Sequence, residues 1–534
     1  MNPRPDHPVP TGSGAVPGAD GDDEAGHALT AAGPGVPAGL VVTAGQPDRS
    51  GGGAARVWAA VGGLLTLAGL LAAAFAAGRP NDARWLLLGL VAAAWLVFPV
   101  AVWLVLRTPP RRAVPIVLAG AALLQLATVA VPPRSTDDLF RYAWDGRVQA
   151  AGTDPYRHLP VDPALAPLRD DWLFPPECRD RVPVCTIMNH PGSPTIYPPV
   201  AEAYFLAVHL LSPPGSRWKP WQLAAALLAL LTTLALIGGL RRAGRDPRWA
   251  VLWAWCPLVV IEAGNSAHVD VLAALLAVVG LRLVAARRPV AAGGLLGAAV
   301  AVKLYPALLL PAVLRRRGAP IVAAAALTFA VSYVPHVLAV GTKVLGYLPG
   351  YLKEEGYDGS GRFPVLRLLL PGMPPPVTLL LAALLLAAVA GWAAWRADPD
   401  RPWDGAVVLT GVAVLLAGPN YPWYALLLVA LIALSGRWEW MPAAAAAYLP
   451  YFVGALDLEM EPTKKLAYGT ATALVLLLLA ARGRPSGPAF SIGWPLGRRA
   501  AEPLSDEAVD LPCRTGAPST TARSRPGRRR PPGS

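Results

Sequence analysis

RWLLLGLVAAAWLVFPVAVWLVL, residues 84–106, carries no charge after Arg84. It is as long as the roughly 20 apolar residues that a helix needs to cross the hydrocarbon layer of a bilayer. Upstream, residues 57–77 read the same way, and downstream the basic connector Arg107–Arg112 leads into a third apolar run, 113–131. Hydrophobic residues make up 54% of the 534 and charged ones 15%, against about 25% charged in soluble domains. The pattern predicts an all-α, polytopic integral membrane protein.

Further spans of crossing length lie near 221–240, 268–286, 319–339, 375–396 and 466–482. Shorter apolar stretches near 249–263, 290–302, 305–314, 405–418, 422–435 and 441–456 pair around polar or Pro-containing turns. Together they suggest about fourteen crossings. Residues 1–56, rich in Gly, Pro, Ala and Asp without apolar periodicity, read as a disordered segment, and 483–534 as a disordered basic tail ending in Arg528, Arg529 and Arg530. The transmembrane domain is therefore expected over 57–482.

The formal charge of +13 does not point to nucleic acid, because the Arg residues cluster between apolar segments, where topology accounts for them. The connectors Arg107–Arg112, Arg241–Arg248, Arg287–Arg288, Arg315–Arg317 and Arg482–Arg484 fall on one side if the N-terminus is cytoplasmic. In this multi-pass protein of the cytoplasmic membrane, both termini are then expected on the cytoplasmic side and the active site outside. The opposite connectors face outward and carry STDDLF, TIYPPV, NSAHVD, VKLYP, EEGYDGSGRF and NYPWY. This parity requires 196–212 to be interfacial or re-entrant, which makes 132–220 one long external loop. Of the four cysteines, Cys256 lies in an apolar segment and Cys513 in the tail. Cys178 and Cys185 share a loop and could pair, stay free or, with His190, hold a metal, although that spacing matches no standard zinc pattern.

In STDDLFRYAWDGRVQAAGTDPY, Ser135 to Tyr156, two adjacent carboxylates, Asp137 and Asp138, follow directly on the third span. At headgroup depth such a pair can take a proton from a hydroxyl while the other reactant stays in the bilayer, the chemistry of a lipid-linked sugar transferase. Crowding should raise at least one of the two pKa values, although Ser-Thr-Asp-Asp before an apolar run is also a helix N-cap. Tyr142, Asp145 and Gln149 share a helical face suited to sugar hydroxyls. Gly152 before Thr-Asp-Pro reads as a helix stop as readily as a functional turn. Lys303, in VKLYP, is a cation near membrane depth, either a phosphate ligand or a snorkelling lysine, with Tyr305 beside it. Glu262, Asn265, His268 and Asp270 form a polar cluster at the external end of a crossing, in which His268 contacts substrate or simply packs. Tyr197, Tyr357, Asp358, Arg362, Asn420 and Tyr421 complete the candidates, the aromatics serving a sugar pocket, an interfacial belt, or both.

The ordered set DDLFRYAWDGRVQAAGTDPY, TIYPPVAEAYF, NSAHVD, AVKLYPALLLP and GPNYPWY, spanning Ser135 to Tyr424, resembles the GT-C glycosyltransferases. Within them it is most similar to the bacterial family 87 and polyprenyl-phosphate-mannose-dependent mannosyltransferases. The resemblance implies an inverting transfer of a hexose, with mannose expected, from a polyprenyl-phosphate donor to a cell-envelope glycan or glycolipid. The catalytic base of that superfamily maps onto Asp137, with Asp138 as its neighbour. Two crossings before the one that leads into the acidic loop depart from the commonest pattern of the superfamily. Some relatives use a divalent metal, so one stays open as a cofactor, but no ligand set stands out here. No Gly-rich phosphate loop or Rossmann fingerprint is present, consistent with a donor delivered through the bilayer. The rival readings are a transporter or flippase of a lipid-linked sugar and another lipid-linked envelope polymerase or ligase. The oligomeric state is not legible.

Overall fold

The computed structural model describes residues 50–79, 83–176, 185–315, 318–357 and 362–483. Residues 1–49, Cys178, Arg316, Arg317, Asp358 and the tail from 484, with Cys513, lie outside them. Every regular element among the described residues is helical. Among the described residues seven helices are long and apolar enough to cross a membrane: Gly53–Ala76, Arg84–Arg107, Pro110–Thr128, Lys219–Arg242, Gly318–Glu354, Pro375–Trp395 and Met460–Arg482. The pair Val259–Asn265 and Asp270–Ala285, bent by 112° at its break, adds an eighth if counted as one span. The count of about fourteen crossings is not established, because the remaining apolar stretches form pieces such as Pro289–Val300, Pro402–Ala417 and Leu426–Ser435 that are shorter than a crossing needs.

The ends of these helices follow from sequence chemistry. Proline opens Pro110–Thr128, Pro199–Leu211, Pro289–Val300, Pro375–Trp395 and Pro402–Ala417, where its missing N–H costs nothing. Arginine closes Arg84–Arg107, Lys219–Arg242, Asp270–Ala285 and Met460–Gly483, where it meets the negative helix end. The first helix starts at Ser50, ahead of the expected 57. Leu426–Ser435 is buried along its whole length and forms the centre of the bundle.

Three elements set up the site and are labelled here in chain order. Helix α1, Asp138–Ala150, follows Pro110–Thr128 after a short irregular stretch, and Gly152 at φ +77° ends it. Helix α2, Pro199–Leu211, has 13 residues, about 20 Å of helix, too short to cross. The two pack so closely that a Cβ on Gly146 would lie 2.5 Å from the Phe205 carbonyl oxygen. The third element is the elbow between Val259–Asn265 and helix α3, Asp270–Ala285, where Ala267 takes φ +57°. Broken backbone at membrane depth is tolerated where protein satisfies its polar groups, and here the elbow is buried.

Candidate active site

The elbow pins the stretch that carries the acidic pair. Asn265 accepts from the Arg134 amide at 2.8 Å and donates to the Thr128 and Pro132 carbonyls, while Gln222 donates to the Val131 and Asn265 carbonyls. Ser135 donates to Glu262 at 2.9 Å and contacts Ser266. The polar cluster of NSAHVD thus holds STDD in place from behind.

The two carboxylates have different surroundings. Asp137 stands at the N-cap of α1, makes no side-chain cap hydrogen bond, is 37% exposed and ion-pairs with Arg79. Asp138 is only 9% exposed. It accepts from Asn189 Nδ2, and its own amide is capped by Thr136 Oγ1 at 3.1 Å. Burial pushes the Asp138 carboxyl up, against the opposing pull of Lys303 and of the Asn189 hydrogen bond.

Both acids open into a cavity of about 840 Å³. Tyr197, Lys303, Tyr305, Arg362, Asn420 and Tyr421, drawn from four distant segments, line the same space. Lys303 Nζ lies 3.4 Å from Asp270 Oδ2 and within 5.6 Å and 5.1 Å of the Tyr197 and Tyr424 ring centres. Tyr305 donates to the other Asp270 oxygen at 3.2 Å. Farther along, Arg362 is buried against Glu355, reaches the Ala417 and Gly418 carbonyls and lies over the Tyr357 ring, with Asn420 within 3.5 Å of Glu355. Beyond this polar part the wall is apolar, built by Leu304, Leu308, Leu379, Ala382, Leu386 and Val414.

Five expected site residues do not line the cavity. Tyr142 stacks on Phe205 at 4.4 Å and meets Tyr197 edge-on. Asp145 receives Arg141 Nε on both oxygens at 3.0 Å, and Gln149 donates to Glu202. That helical face is occupied by protein partners. Asp270 is fully buried behind Lys303. His268 is fully buried too, its ring stacked at 3.9 Å on Trp423, which does line the cavity. Conversely, Arg79, Asn189 and Glu355 enter the site unannounced. Only the acidic character of the Glu354–Glu355 pair in the EEGYDGSGRF loop signalled any of them.

Cys185 is disulfide-bonded and Cys256 is a buried free thiol. Among the described residues no group of three or more His, Cys, Asp or Glu is arranged to hold a metal ion.

No curated protein and no solved structure gives a significant match to the chain. A family model does: it covers residues 195–419, the part that carries Tyr197, the elbow, Lys303 and Arg362, and the acidic pair lies upstream of it. Over residues 195–419 the chain matches glycosyltransferase family 87, which supports a membrane glycosyltransferase and agrees with the resemblance carried by its motifs.

Proposed function

We propose that the protein transfers a hexose, with mannose the expected sugar, from a polyprenyl-phosphate carrier to a cell-envelope glycan or glycolipid on the outer face of the cytoplasmic membrane. The observation that carries the reading is the meeting of Asp138 and Lys303 on one cavity whose far wall is apolar. A carrier-borne sugar needs that combination: an apolar groove for the lipid, a cation for its phosphate and a base for the acceptor.

The chemistry runs as an inverting displacement. Asp138 takes the acceptor hydroxyl proton as the oxygen attacks the anomeric carbon, and the bond from that carbon to the phosphate oxygen breaks with its electron pair on the lipid phosphate. Lys303, backed by Asp270, meets the charge that develops on the phosphate. Asp138 is preferred over Asp137 as base because its buried setting raises its proton affinity, whereas one oxygen of Asp137 is committed to Arg79. The divalent ion that some relatives use has no evident seat among the described residues, so no step is drawn through one. A carrier reading gains only from the bent pair, and its elbow is buried rather than open.

The test is transfer from purified polyprenyl-phosphate-mannose by the reconstituted protein, with nucleotide-mannose as the comparison. Transfer is expected from the lipid donor alone. Asp138→Asn should lower turnover by about a hundredfold or more, the usual contribution of a general base, and Lys303→Ala should raise the donor KM more than the acceptor KM. A larger loss in Asp137→Asn would move the base role to Asp137, and transfer from the nucleotide donor would overturn the donor assignment.

A further inference from the structure

Behind Asp138 lies an imidazole that substrate cannot reach. His268 is fully buried, with Nδ1 3.5 Å from Asp138 Oδ2 and Nε2 3.4 Å from Glu262 Oε2. Neither ring nitrogen has a hydrogen bond. Buried polar atoms without partners are uncommon and costly to keep. This ring is moreover aligned by its stack on Trp423, which is itself stacked on Tyr421 at 4.6 Å. Glu262, also fully buried, accepts from Ser135 at 2.9 Å and from Tyr448 at 3.3 Å. Glu262, Arg134 and Tyr448 in turn line a second, smaller chamber of about 30 Å³ that adjoins the sugar cavity, Ser135 and Tyr451 lying on both, enough for one water molecule.

We propose that His268 and Glu262 relay the acceptor proton from Asp138 to this second chamber, so that the base is reset without the proton re-entering the sugar cavity. The inference rests on the glycosyl-transfer reading above. Asp138, protonated by the acceptor hydroxyl, gives its proton to His268 Nδ1, and His268 gives the proton on Nε2 to Glu262. The net change is one proton moved from the acceptor oxygen to Glu262, balanced by the negative charge that leaves on the lipid phosphate. A shift of a few tenths of an ångström would bring both gaps to hydrogen-bond length. The charged and titratable groups facing the chain are Asp270 and Lys303 beside the elbow, Asp137 with Arg79 at the mouth, and the Tyr448 and Tyr451 hydroxyls. His268 and Glu262 act through Asp138 and are positioning residues that also carry the proton.

The test is a proton inventory: multiple-turnover transfer from polyprenyl-phosphate-mannose by the full-length protein in mixtures of H2O and D2O. The relay predicts a bowed dependence for the wild type, since each turnover moves a proton across both the Asp138–His268 and the His268–Glu262 gaps to reset the base. His268→Gln and Glu262→Gln should each lower the rate by at least about tenfold, leave the donor KM within about twofold and straighten the inventory. A linear wild-type inventory overturns the relay, whether or not the variants fold. If the wild type transfers sugar, Asp138→Asn does not, and both glutamine variants match the wild type, the relay alone fails. If the wild type moves no sugar from the lipid donor, the reading beneath it fails and the relay with it.

Discussion

Asp137 and Asp138 are adjacent in sequence, yet the fold gives them opposite surroundings. One faces Arg79 at the cavity mouth, and the other is buried beside Asn189 and His268. The difference has a consequence for pH. Asp138 must be ionised to accept a proton, and burial raises its pKa, so the rate should fall with decreasing pH at values above the ordinary aspartate range of about 3.9. The Asn189 hydrogen bond favours the charged form. Asn189→Ala should therefore move the acid limb of the pH–rate profile to still higher pH, and a shift toward lower pH would contradict this account of Asp138. At this scale the sequence was informative about residue type and silent about partners. Arg79 and Asn189 reach the acids across 58 and 51 residues, separations that no local pattern encodes. Tyr142, Asp145 and Gln149 share a face as their spacing predicts, but the Tyr142 ring stacks on Phe205 of α2, Asp145 pairs with Arg141 of its own helix and Gln149 donates to Glu202 of α2.

The elements were legible where hydrophobic length decides them and less so where the backbone breaks. Residues 84–106, 113–131, 221–240 and 375–396 emerge as long helices close to the expected bounds. The expected crossing at 268–286 instead begins at an elbow, because a π-helical turn ends at Asn265 and Ala267 takes a left-handed conformation. That break leaves no apolar signature, but it is what brings Asn265, His268 and Asp270 behind the acidic loop. The contact between α1 and α2 is equally specific. Gly146→Ala would gain helix propensity but force a methyl against the Phe205 carbonyl, so a net destabilisation of about 1–3 kcal/mol is expected. Thermal unfolding of the purified protein measures it, with a loss of turnover expected as α1 tilts Asp138 away. Unchanged stability and turnover would show that the α1–α2 contact does not set the position of the acid.

Across the whole molecule, the motif-bearing loops carried most of the information. Five of the six motif segments, from Ser135 to Tyr424, contribute to one cavity wall, and the sixth, NSAHVD, lies directly behind it. The crossing count did not follow, because apolar stretches such as 290–302 and 422–435 form short helices within the bundle, which hydropathy alone does not distinguish from spans. The proposed orientation puts the cavity outside the cell. Arg157→Cys, in the acidic loop, should react with a membrane-impermeant maleimide in intact cells, whereas Arg241→Cys, on a basic connector, should react only after permeabilisation. The reverse pattern would invert the topology and remove the donor geometry with it.

The most direct measurement is an experimental structure with a polyprenyl-phosphate sugar bound. The account predicts the phosphate within hydrogen-bond reach of Lys303, the lipid along the wall formed by Leu304, Leu308 and Leu379, and the anomeric carbon facing Asp138. A phosphate seated among the arginines of the basic connectors, or a sugar held away from both acids, would contradict it.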